Sequence, residues 1–177
     1  MRIAAALLAG ILLLGGCTSD SDDPVEGFTT LAKGDRSPVE TSYVLEVAYD
    51  EATARQMWDD VVDENLPKGS GDPTARAIYG NLDDVDFDSQ VVALFSSGES
   101  STCPSFLSGL STEGTTIAAT TTTPGADGPC TADYHPYVQV VAVDKGDLPA
   151  AGELPGAKLT MDGTAMPDAS VAVYAKR

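Results

Sequence analysis

The run Tyr43-Val44-Leu45-Glu46-Val47-Ala48-Tyr49, followed at once by Asp50-Glu51 and then by Ala54, Met57, Trp58 and Val61, decides the fold class. Its first half is β-branched and aromatic, the composition of a strand. Asp50 offers an N-cap, with Glu51 in the first turn. The apolar positions that follow fall at i, i+3, i+4 and i+7, the stripe of an amphipathic helix. Arg55, Asp59, Asp60 and Asp63 fall on its wet side, and Trp58 reads as a core anchor. Leu66-Pro67 is the expected end of the helix.

Strands dominate the rest. Val91-Val92-Ala93-Leu94-Phe95 is a continuous apolar run, expected to be buried on both faces and broken by Ser96-Ser97-Gly98-Glu99. Thr115–Thr122 reads as a Thr-rich strand with one wet face, and Pro124-Gly125 turns it. Tyr137–Val143 is a second central strand. Ala77-Ile78-Tyr79 suits a short strand or turn, and Lys158–Met161 and Ser170–Ala175 suit short strands. The expectation is an α+β fold: a mostly antiparallel sheet with one helix packed on one face.

The N-terminus points to export. Arg2 is followed by an apolar run from Ile3 to Leu14, shorter than the ~20 residues that span a bilayer. Leu14-Gly15-Gly16-Cys17 resembles the lipobox of bacterial lipoproteins, in which the Cys thiol receives a diacylglyceryl group before cleavage. The alternative is an ordinary secretory signal with a coincidental Cys. Two acyl chains on Cys17 would give stable anchoring where one would not. The expected organisation is a signal peptide at 1–16, a tether at 17–40 and one globular domain at 41–177. The tether carries Ser19-Asp20-Ser21-Asp22-Asp23-Pro24, too polar to order itself, and only Phe28 and Leu31 hint that its end docks on the body.

Charge narrows the partners. The chain carries 27 Asp and Glu against 10 Lys and Arg, a formal net charge of −17. That surface repels nucleic acid and anionic lipid headgroups. With Cys17 assigned to lipid, Cys103 and Cys130 remain as a pair, and outside the cytoplasm two thiols in one small domain oxidise together. The closed loop of roughly 28 residues would remove on the order of 3.5 kcal/mol of unfolded-state entropy. A Cys-based zinc site lacks ligands, since there is no CxxC and His135 is the only His.

Three chemistries compete at the level of residues. Asp84, Asp86 and Asp88 resemble the start of a calcium loop, but Ser89 and Phe95 stand where an EF-hand needs Gly and Glu. Ser100, Ser101 and Ser105 near Cys103, with His135, are the only material for a small hydrolase, and no G-x-S-x-G elbow accompanies them. No phosphate-binding Gly loop appears, so no cofactor is expected. What remains is a binding module.

The order of strand, Trp-bearing helix, Val85-Asp86-Phe87 before an apolar strand, Gly98, and Pro136-Tyr137 opening a strand that ends near Leu148-Pro149 carries a resemblance. It is similar to the small extracytoplasmic domain named after the PrcB subunit of a bacterial surface protease complex. The similarity spans about Tyr43 to Pro149, with Ser100-Ser101-Thr102-Cys103-Pro104 standing where the family has a Gly-rich turn. The resemblance implies a non-catalytic accessory or binding domain. The functional expectation is therefore a lipid-anchored module at the outer face of the cell membrane, serving another envelope protein. A cation-binding envelope protein is the alternative and a small hydrolase the third reading.

Overall fold

A computed structural model describes residues 27–35, 43–71, 73–125 and 128–176. Two mixed sheets and one helix make up the body. The larger sheet contains β1 (Phe28–Gly34), β2 (Val44–Ala48), β3 (Ala77–Ile78), β4 (Gln90–Glu99), β7 (His135–Asp144) and β10 (Ser170–Val173), in the order β10-β2-β4-β7-β1-β3. The smaller contains β5 (Phe106–Glu113), β6 (Thr116–Thr122), β8 (Lys158–Met161) and β9 (Thr164–Ala165), in the order β5-β6-β8-β9. Neighbours run antiparallel except for β10 with β2 and β6 with β8. The fold is thus mostly β with one helix, and its sheets are antiparallel-dominated but mixed.

The apolar runs of β4 and β7 follow from a three-layer stack. The helix α1 (Glu51–Val61) covers one face of the larger sheet, where Ala54, Met57 and Val61 join Val44, Val92, Leu94, Val138 and Val140. On the other face Leu45, Val47, Val91, Ala93, Phe95, Val141 and Val143 pack against Leu107, Ile117 and Leu159 of the smaller sheet. Both sides of the middle strands are therefore dry, and alternation disappears from their sequence. Asp50 caps α1 by accepting from the Thr53 amide at 2.9 Å.

Three expectations need correction. First, β1 falls inside the stretch expected to be tether. Leu31, Ala32 and Lys33 are buried there, and β1 is hydrogen-bonded on both sides, to β7 and β3. Its low apolar content misleads because a buried Lys occupies one of its inward positions. Second, α1 ends at Val61, before Leu66-Pro67. Consecutive Val61 and Val62 both enter the core, which a helix cannot arrange on one narrow stripe, and Val62 is extended. Third, Ser96-Ser97-Gly98-Glu99 does not break β4, which stays paired to β7 as far as Glu99↔His135. The segment after Cys103-Pro104 forms β5. The signal peptide, Cys17 and residues 18–26 and 36–40 of the expected tether lie outside the described residues.

Because β1 supplies a paired strand and core side chains, the folded body requires it. A chain beginning at Gly27 should keep the melting transition of the longer protein. One beginning at Tyr43 should lose that cooperative transition or shift it down by ten degrees or more, read by circular dichroism.

Candidate functional site

Strand β4 outruns the apolar core at its C-terminal end, and polar groups take over the space between the sheets. Alternation from Phe95 puts Ser97 and Glu99 on the face toward the smaller sheet. The opposing register of β7 brings Tyr137 and Gln139 to the same face, and β1 adds Lys33 opposite Gln139. All of these side chains are buried.

Lys33 sits at the centre, with no solvent exposure. Its Nζ donates to Glu99 Oε2 at 2.7 Å, to the Ser105 carbonyl at 2.7 Å and to the Thr74 carbonyl at 2.8 Å. It also lies 4.6 Å from the centre of the Tyr137 ring, a cation–π distance. Three acceptors match the three protons of an ammonium, so this lysine is held as a cation and is not a nucleophile. Glu99 is saturated in turn: Oε1 accepts from Arg76 at 2.8 Å, and Oε2 also accepts from the Ser105 amide at 2.8 Å. Burial pushes the Tyr137 hydroxyl well above its ordinary value. That hydroxyl lies near Ser97 and Ser105 without a bonding geometry to either.

Gln139 ties the sheets together. Its amide oxygen accepts from the Leu107 amide, and its Nε2 donates to the Leu107 carbonyl and to Thr30 Oγ1, all within 2.8 to 2.9 Å. Its side chain thereby does for β5 what a neighbouring strand would do.

Outside this buried group a cleft of about 520 Å³ opens at one end of the larger sheet, lined by Asp35, Arg76, Glu99, Ser100, Ser101, Pro104, His135 and Pro136. Cys103 and Cys130 form a disulfide with their Cα atoms 5.5 Å apart, holding the segment after β4 against the segment before β7. Across that staple runs a hydroxyl network. Ser100 Oγ meets Thr131 Oγ1 at 2.7 Å, and Thr102 Oγ1 accepts from the Thr131 amide at 3.0 Å. Asp133 accepts from Thr131 Oγ1, from the Ser101 amide at 3.3 Å and from Ser100 Oγ at 3.4 Å. Ser101 and then Thr131 hold its carboxyl well below the usual carboxylate range.

His135 meets Asp133 Oδ2 through Nε2 at 3.0 Å. A Ser–His–Asp relay would need a hydroxyl on the second ring nitrogen. Here Ser100 and Ser101 bond Asp133 and Thr131 instead, and no described Ser hydroxyl bonds His135. The hydrolase constellation is gathered in space but wired for structure. Ser105, the third serine of that reading, gives its backbone to Lys33 and Glu99.

The Asp84, Asp86 and Asp88 set is not gathered. Asp84 ends a short 3₁₀ turn, and Asp86 accepts from the Asp88 amide at 3.0 Å and from Ser89 Oγ at 2.8 Å. Lys145 Nζ donates to the Phe87 and Asp88 carbonyls, taking up backbone acceptors of this turn. No group of three acidic, His or Cys side chains fit to hold a metal occurs among the described residues.

One contact at the corner has no counterpart in the sequence reading. Tyr134 is about half exposed, and a Cβ at Gly98 would overlap Cε2, Cζ and Cδ2 of its ring together. The ring therefore lies flat on β4, over the one residue in the strand that leaves room for it. The sequence singled out Gly98 but not this reason for it. Lys33, Arg76, Glu99 and Gln139 also went unread as site residues; the available signal was one charged or amide side chain inside an otherwise apolar strand.

Removing one partner of the buried ion pair should cost more than removing both. Lys33→Met should destabilise by about 3–5 kcal/mol because Glu99 loses its principal partner. Adding Glu99→Leu to it should recover part of that loss, and urea denaturation of the two variants compares them. Acid should act at the hydroxyl network. With the folded Asp133 below its ordinary value of 3.8, ionised Asp133 contributes stability that is present above that value and lost as pH falls through the lower folded one. Amide signals of Ser101 and Thr131 should hold steady from neutral pH to about 4 and move only below it.

No protein-family model matches this chain, and neither the curated proteins nor the solved structures provide a match.

Proposed function

We propose that this chain is a lipid-anchored, extracytoplasmic binding module that serves another cell-envelope protein without catalysing a reaction. Acylation at Cys17 would hold it at the outer face of the cell membrane, and the disulfide-braced corner would be its contact surface. The observation that carries this reading is the state of the cleft's reactive groups. Lys33 and Arg76 both bond Glu99, Asp133 engages His135 and the hydroxyls, and no described serine is paired with a base. Such a site is preorganised to recognise a ligand and poorly arranged to transfer a proton. The lipobox-like Leu14-Gly15-Gly16-Cys17 and the similarity of Tyr43–Pro149 to PrcB-type accessory domains support the same assignment.

Two experiments test it. Metabolic labelling with an alkyne fatty acid should mark the protein and leave a Cys17→Ala variant unmarked; label on the variant would remove the anchor. A benzophenone amino acid in place of Ser101 should give one discrete cross-linked envelope protein in intact cells. The same group in place of the exposed Lys158, on the smaller sheet, should not. Equal adducts from both positions would mean that the corner is not the contact surface.

A further inference from the structure

The corner combines an exposed aromatic face, a ridge of hydroxyls and a cleft in which Lys33 and Arg76 bond Glu99. Tyr134 lies with one ring face on Gly98 and is 52% exposed, the most exposed of the large apolar side chains. Its neighbours place it at the rim of the cleft. His135 follows it in the chain, Glu99 follows Gly98, Pro136 pairs with Gly98, and all three line the opening. The hydroxyl network joins the two features, since Ser100 and Ser101 line the cleft and bond Asp133, the residue before Tyr134.

Charge narrows the ligand class. Among the described residues Lys33 and Arg76 both bond Glu99, and Asp133 accepts from hydroxyls, an amide and His135. The net charge of −17 repels polyanions. The described residues gather no metal-binding group. A neutral ligand with many hydroxyls and an apolar ring face meets these conditions: its C–H face stacks on an aromatic ring whose own rotation is blocked by the strand beneath. Its hydroxyls exchange hydrogen bonds with Ser100, Ser101 and Thr131, which donate and accept equally well.

We propose that the disulfide-braced corner binds a neutral oligosaccharide, with one sugar ring stacked on Tyr134 and the chain continuing over Ser100 and Ser101 into the cleft. This deepens the binding-module reading, on which it rests, by naming what that corner recognises. Two sources share the chemistry: a glycan carried by the envelope partner, and a neutral wall polysaccharide. With the ring at the rim and Ser100 and Ser101 in the lining offered as separate contacts, the site would take more than one sugar, and a monosaccharide should bind much more weakly than a hexamer.

The test titrates the disulfide-bonded protein, isotope-labelled, with neutral hexasaccharides of β-1,4-glucose, β-1,4-N-acetylglucosamine and α-1,4-glucose. At least one should move the amide signals of Ser100, Ser101 and His135 saturably. Tyr134→Ala should weaken that binding by about fivefold or more, whereas Tyr134→Phe should retain it. Gly98→Ala, which removes the seat of the ring, should act like Tyr134→Ala, with an unchanged melting temperature confirming the fold of each variant. No saturable shift with any of the three at millimolar concentration would overturn the proposal, and so would binding indifferent to Tyr134→Ala. Cross-linking from position 101 separates the two levels. A captured protein insensitive to glycosidase, together with silent titrations, would sink the saccharide and leave the binding module standing. Loss of the adduct on glycosidase treatment of the envelope before cross-linking would assign the glycan to the partner protein, and a protease-resistant adduct to wall polysaccharide.

Discussion

The buried ion pair between Lys33 and Glu99 joins four separate parts of the chain at one point. Lys33 belongs to β1, Glu99 to the end of β4, and the same ammonium reaches the carbonyls of Thr74 and Ser105. Removing two charges from water is costly, and the pair is tolerable only because every proton of the ammonium has an acceptor and the carboxylate has donors on both oxygens. Its consequence is specificity more than stability. A one-residue slip of β1 against β7 would turn Lys33 to the helix side and strand Glu99 between the sheets. The contact thus helps fix the register of β1 and the position of the loop at Thr74, alongside Gln139–Thr30 and Arg76–Glu99.

From that contact the corner acquires its rigidity. Gln139 binds the backbone of Leu107 through both atoms of its amide, which prevents the start of β5 from sliding along β7. The disulfide then closes the remaining freedom of the segments on either side, and the Ser100–Thr131–Asp133 bonds fill the space across it. Loops normally carry function at the expense of order. Here irregular segments are held by a buried charge, an amide clamp and a covalent bond, so the cleft presents a shape that binding need not organise.

Much of the architecture was legible because it follows from burial alone. The Tyr43–Tyr49 strand, the stripe Ala54, Met57, Val61 and the runs Val91–Phe95 and Tyr137–Val143 are apolar for one reason, and periodicity detects that reason. The Cys103–Cys130 pairing was legible from arithmetic. The strand Phe28–Gly34 was not, since its inward Lys33 looks like solvent chemistry until a carboxylate 66 positions away is placed beside it. Ser96–Glu99 looked like a break for the same reason: polar side chains satisfied by distant partners have the composition of a loop. Tyr134 was illegible because its significance lies in a contact with Gly98 across the strand end, a relation that local sequence does not encode.

The chemistry of the corner is bound up with that illegibility. Residues that a strand pattern rejects occur at the end of β4 and the start of β7, beyond the apolar core, where polar side chains can still find partners. A cleft forms at such a place because a polar lining tolerates the water that an apolar one would expel. The same satisfaction that makes the lining affordable also disarms it. Glu99 is neutralised by two cations, and Asp133 is surrounded by donors, so neither is left as a free general base. With Glu99 and Asp133 bonded within the chain, the corner keeps its shape, hydroxyls and an aromatic surface, which are the features the proposed recognition would use.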